Sequence, residues 1–224
     1  PKYQALPILS SDALSSVAYA TEAALGVLVL AGSGALKQSL PITLAIIALI
    51  VIVVLSYRQA ISAYPNGGGS YVVARENLGR NVSLVAAAAL LIDYTLTAAV
   101  SLMAGTQALS SLIPSLLPHE LLLSLLLLAL VGWANLRGIR EAGRVFSIPT
   151  YAFVVMILVL TLGGLWNLSF QHGWTPETPP VEAVLQPLGL FLVLRAFSSG
   201  CSAMTGIEAI SNGVKVFREP SARN

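Results

Sequence analysis

The chain has 224 residues, 56% of them hydrophobic and 10% charged, with a formal net charge of +2 and a mean hydropathy of +0.80. Such a composition excludes a soluble globular domain and places the chain in lipid. The slight basic excess fits loop anchoring and not a nucleic-acid footprint, and a lone cysteine, Cys201, excludes an internal disulfide and a thiolate metal cluster.

Apolar runs near the length of about 20 residues that crosses the hydrocarbon core predict six spans, Ile8–Val29, Pro41–Ser62, Val82–Leu109, Glu120–Leu136, Val145–Leu168 and Val184–Val216. Span one opens with Ser10-Ser11-Asp12-Ala13-Leu14-Ser15-Ser16, too polar for a lipid-facing helix. Span two is aliphatic from Ile42 to Leu55 and reads as scaffold. The following Tyr64-Pro65-Asn66-Gly67-Gly68-Gly69 lacks the lysine of a phosphate-binding loop, so its glycines predict a hinge or re-entrant turn.

Span three carries Asp93, Tyr94, Thr97 and Ser101. The last three follow helical i, i+3, i+7 spacing and form a hydroxyl stripe with Asp93 beside it. An isolated hydroxyl in such a helix usually bonds its own preceding carbonyl, so only the combination with carboxylates on other helices points to a site. Span four is nearly all leucine from Leu121 to Val131 and is again scaffold, and Thr175 to Pro180 predicts an ordinary outer loop. Span six holds a second polar run, Ser198 through Gly206, followed by Glu208.

Five ionisable side chains fall within spans: Asp12, Glu22, Asp93 and Glu208 against Arg195. Each costs roughly 2.5–3.5 kcal/mol near a helix centre, so their retention marks an ion or proton path, and the acid excess indicates a cation. Arg195 is open to pairing with a buried acid or to snorkelling outward. Glu22 is far enough along span one to face an outer vestibule and is left out of the core site. With the N-terminus cytoplasmic, ten basic residues (Lys2, Arg58, Arg75, Arg80, Arg137, Arg140, Arg144, Lys215, Arg218 and Arg223) lie inside and only Lys37 in an outer loop. Both histidines, His119 and His172, fall in outer loops. Pro1 at the start, with no cleavable signal, and a basic segment at the far end predict part of a longer membrane protein.

Polar interruptions in spans one and six match the pattern in which discontinuous helices, at corresponding positions of two halves, build a transporter's site. Ser10-Ser11 leads to Glu22-Ala23 and Ser198-Ser199 leads to Glu208-Ala209, as a five-helix inverted repeat predicts. Small residues at tight helix crossings account for the serines but not for the acids. Carboxylate, hydroxyl and freed carbonyl oxygens suit a hard cation, and a buried carboxylate can carry a proton. No cofactor is expected; the partners indicated are a hard cation, protons and the lipid bilayer, without nucleic acid.

Ser11-Asp12-Ala13-Leu14-Ser15-Ser16-Val17-Ala18-Tyr19, Tyr64 through Tyr71, Asp93-Tyr94-Thr95-Leu96-Thr97, and Phe197 through Cys201 with Thr205-Gly206-Ile207-Glu208-Ala209-Ile210 resemble KimA-type, Kup-related potassium/proton symporters of the amino acid-polyamine-organocation superfamily. The resemblance runs through the whole chain and corresponds to the first half of that family's membrane domain. It implies an all-α membrane protein, six transmembrane helices of a 5+5 inverted-repeat (LeuT-like) transporter with helices one and six discontinuous. It further implies potassium import with protons by alternating access in the cell membrane, and a homodimer for the full-length protein. Carried over motif by motif, Asp12, Tyr19, Tyr94, Thr97, Ser101 and Thr205 are the cation-binding residues of a potassium site, and Asp93 and Glu208 the proton-coupling ones.

The nearest rival is a proton-coupled amino acid permease, whose first helix commonly breaks at glycines that bind the substrate carboxylate. Serine and aspartate stand there instead. A divalent-metal transporter lacks its expected Asp-Pro-Gly-Asn-like and Met-Pro-His-like breaks. A passive channel would conduct without a proton gradient. An intramembrane serine hydrolase lacks a histidine base within a span, and neither Asp12 nor Asp93 has the Gly-x-Gly-Asp setting of an aspartyl dyad.

Overall fold

The computed structural model describes residues 6–7, 10–64, 67, 69–137, 139–170 and 184–213. The outer loop Thr175–Pro180, His172, Lys2, Lys215, Arg218, Arg223 and the side chains of Arg140 and Arg144 lie outside the described residues. Six helices are long and apolar enough to cross a membrane, and no strand occurs among the described residues. The chain is an all-α, multi-pass membrane protein.

Span one is helical from Ser11 to Val29. Its end turns at Gly32, whose φ of 83° favours glycine, into a tight 3-10 turn, Ser33–Gln38, that runs on into span two, Ser39–Ala63. Pro41 sits in that helix's first turn, where its missing N–H costs nothing. Tyr64 precedes Pro65 and is forced off helical geometry, with φ −123° and ψ 70°. A short helix, Ser70–Leu78, follows, and Gly79 at φ 88° joins it to span three, Arg80–Leu112. At 1.5 Å per residue span three is about 50 Å long, more than the roughly 30 Å core requires.

Ile113, ahead of Pro114, ends span three for the reason that Tyr64 ends span two. Span four is Glu120–Leu136, with Glu120 at the positive end of its dipole. Span five, Ile139–Phe170, contains Pro149. Span six starts at Leu190, not at Val184 as its hydropathy predicts, because Pro187 and Gly189 break the run. It comprises a first segment Leu190–Gly200, a 3-10 turn Cys201–Met204 and a second segment Ile207–Asn212, named outer and inner after the orientation that the loop charges predict.

Both interruptions fall inside the predicted polar runs, each at one end of its run. Ser11 to Ser16 lie in regular helix and the break precedes them: Leu6 and Pro7 are helical, while Ser10 has φ −115° and ψ 0°. Ser198 to Gly200 are likewise helical, and the break falls at Thr205-Gly206. Serines stay in the helix by bonding back: the Ser15 hydroxyl donates to the Asp12 carbonyl at 2.9 Å and that of Ser202 to the Ser199 carbonyl at 2.7 Å.

The buried core is built where spans one, two and six cross, from Ala20, Leu28, Ile42, Ile46, Ala196 and Ala203. Gly200 sets the closeness of that crossing. A Cβ there would stand 2.5 Å from Ile46 Cδ1 and 3.4 Å from Ala24 Cβ. The amides of Leu185 and Gln186 donate to the Leu30 carbonyl, fixing the approach to span six against the end of span one. Span four buries none of its residues among the described ones, and its leucines are left as surface.

Candidate functional site

The break in span six rests on the start of span one. Gly206 is left-handed, with φ 85° and ψ −7°, and a Cβ on it would lie 2.7 Å from Asp12 Cγ and 2.8 Å from the Ala13 nitrogen. Only glycine supplies both that conformation and that proximity. Asp12 thus sits in the first turn of span one, where the helix dipole favours a carboxylate, directly against the interruption of span six. Thr205, extended at ψ 139°, ends the 3-10 turn and its hydroxyl donates to the Ser202 carbonyl.

Glu208 lies in the first turn of the inner segment and is 8% exposed. Tyr94 faces it, and Asp12 and Asp93 are within electrostatic range. Its Oε1 is buried with no hydrogen-bond partner among the described residues. A buried carboxylate oxygen left without a donor costs on the order of 1–3 kcal/mol or more, a penalty that a proton or a cation at that oxygen would relieve. The Tyr94 hydroxyl accepts from the Asn212 amide at 2.8 Å.

Tyr19 and Ser101 are brought to a second place. They line a crevice of about 460 Å³ between spans one, three and five, together with Ser11, Ser15, Glu22 and Thr150. There Ser15 and Ser101 hydroxyls meet at 3.4 Å, and Tyr19 bonds Ser16 at 3.1 Å. Thr97, buried, stands one turn from Tyr94 and one turn from Ser101, and so joins the two groups along span three. The predicted residues therefore form an acid cluster, Asp12, Asp93, Tyr94 and Glu208 with Thr205 behind Gly206, and a hydroxyl crevice beside it.

Glu22 faces that crevice and is exposed. Arg195 is also exposed, and among the described residues it makes no ion pair with an acid of the cluster. No three His, Cys, Asp or Glu side chains among the described residues converge closely enough to hold a metal ion. Asp12, Asp93 and Glu208 are near enough to feel one another's charge but do not close round one point.

A family profile described as amino acid permease matches residues 5–223. The chain belongs to that family. Membership places it among transporters and not enzymes, and agrees with a LeuT-like architecture in which helices one and six are the interrupted pair. The chain is also similar to the potassium transporter KimA of Bacillus subtilis (strain 168), with 45% identity over 224 residues, all of this chain and 37% of that protein. It spans little more than a third of that relative's length.

Three site features escaped sequence reasoning. Gly206 was legible only as part of a polar run, since nothing in a sequence states φ. Asn212 carries a usable signal, because it lies four residues after Glu208 on the same helical face. Ser211, fully buried with an unpartnered hydroxyl among the described residues, carries none.

Proposed function

We propose that the chain is the N-terminal part of a transporter membrane domain that imports potassium with protons by alternating access, its N-terminus cytoplasmic. The observation that carries this is the unpartnered, buried Oε1 of Glu208 beside Tyr94, Asp93 and Asp12. Support comes also from the name of the relative, which is a potassium transporter. Asp12, Thr205, Thr97 and Tyr94 supply carboxylate and hydroxyl oxygens to the dehydrated ion, and Tyr19 and Ser101 continue the path through the crevice. Such oxygens can replace a hydration shell. Asp93 and Glu208 carry the proton.

Proton-coupled amino acid transport is the second possibility, favoured by the family's description. Electrostatics argues against it. Asp12, Asp93 and Glu208 lie in one another's field, and a substrate carboxylate brought among them meets like charge.

Tracer rubidium uptake by the full-length protein in potassium-starved cells, with and without an uncoupler, tests the proposal. Uptake that collapses with the proton gradient is expected, and amino acid uptake with rubidium ignored would transfer the assignment. Asp93→Asn and Thr205→Val should each strongly weaken uptake while the protein still inserts. Normal uptake in both would show that the path lies elsewhere.

A further inference from the structure

Asn212 ends the inner segment of span six and touches two other elements. Its amide Nδ2 donates to the Tyr94 hydroxyl at 2.8 Å, which fixes the side chain on span three. Its carbonyl Oδ1 occupies the space in which a Cβ of residue 69 would lie. Gly69 is buried and its carbonyl accepts the amides of Val72 and Val73 at 2.9 and 3.1 Å, so it is the N-cap of the short helix Ser70–Leu78. A single carboxamide therefore joins the inner segment to span three by a hydrogen bond and packs against the N-cap of the helix that leads into span three.

Glu208 stands one turn before Asn212 on the same face. Any movement of the inner segment that carries Glu208 away from Tyr94 must break the Asn212–Tyr94 hydrogen bond and withdraw the carboxamide from Gly69. The Tyr94 hydroxyl, while it accepts from Asn212, keeps its own proton free for the Glu208 carboxyl that it faces. We propose that Asn212 is a positioning residue that latches the inner segment of span six to span three and to the start of the short helix, and that this latch opens in each transport cycle. The proposal rests on the transport function given above. Glycine at 69 follows from it, since that backbone has ordinary angles, φ −69° and ψ 163°, and needs glycine only to admit the carboxamide.

A Cβ on residue 69 would stand 2.7 Å from Asn212 Cγ, which brings the two Cβ positions near the roughly 3.5–4.5 Å that a disulfide spans. In the full-length protein, with all other cysteines including Cys201 replaced by serine, the pair Gly69→Cys and Asn212→Cys should cross-link on oxidation. Rubidium uptake is then expected to be lost and to return with dithiothreitol. Cross-linked protein that transports as fast as the reduced form would overturn the latch. A second measurement does not depend on the substrate. Asn212→Ala, and equally Gly69→Ala, should speed amide hydrogen exchange across residues 70–78, with no further gain in the double variant. Unchanged exchange overturns the latch even if the protein imports rubidium, whereas faster exchange without rubidium uptake in the parent protein supports the clamp and sinks the potassium assignment.

Discussion

Spans one and six differ from span four in every property except length. The former pack alanine and glycine against each other, break their helices and hold acids; the latter is an unbroken leucine helix with no buried residue. In water the leucines would be the core. In lipid they gain nothing by meeting one another, and close approach of small residues together with internal hydrogen bonds decides what is packed. The interior of the described residues is therefore built round the polar spans one and six, with Ile42 and Ile46 of the aliphatic span two packed against them.

Substitutions that close the gap between these regions should have effects in a fixed order. Gly206→Ala comes first, because it strains a left-handed position by about 1–2 kcal/mol and also drives a methyl into Asp12, 2.7 Å away. Loss of uptake and a lower unfolding temperature in detergent are expected for the full-length protein. Gly200→Val should follow at about 1–3 kcal/mol, the usual cost of overpacking. Its methyls collide with Ile46, so Ile46→Ala in the same chain should recover part of the lost thermal stability. An independent sum of the two changes would mean that spans two and six do not share that contact.

Hydropathy made the helical class and the membrane-length segments legible, because backbone groups in lipid must bond within their own helix. The acids were legible for the complementary reason that charge in a span is costly. The exact site of each break was not. The polar runs 10–16 and 198–206 contain both departures from helix, at Ser10 and at Thr205-Gly206, but most of their serines stay in regular turns, Ser15 and Ser202 bonding their hydroxyls to carbonyls three residues back. Spacing placed Tyr94, Thr97 and Ser101 on one face of span three. It could not say that Tyr94 meets the acids while Ser101 meets Ser15, because that division depends on which neighbouring span each turn touches.

The smallest effects belong to the scaffold and measure how lipid-like it is. The Thr106 and Ser124 hydroxyls join spans three and four at 3.1 Å, and Thr106 also donates to the Met103 carbonyl. Thr106→Val should cost about 0.6 kcal/mol, the average for a hydrogen bond between helices in a membrane, with Ser124→Ala no worse and the pair not additive. Leu125 is 54% exposed, and if acyl chains cover it in the full-length protein its surroundings are the same in any state in which the spans stay inserted but separate. Leu125→Ala should therefore change the unfolding free energy by less than about 0.5 kcal/mol, where the same truncation in a water-soluble core costs about 2–5 kcal/mol. A loss in the latter range, measured in lipid, would mean that span four packs against protein and is interior after all.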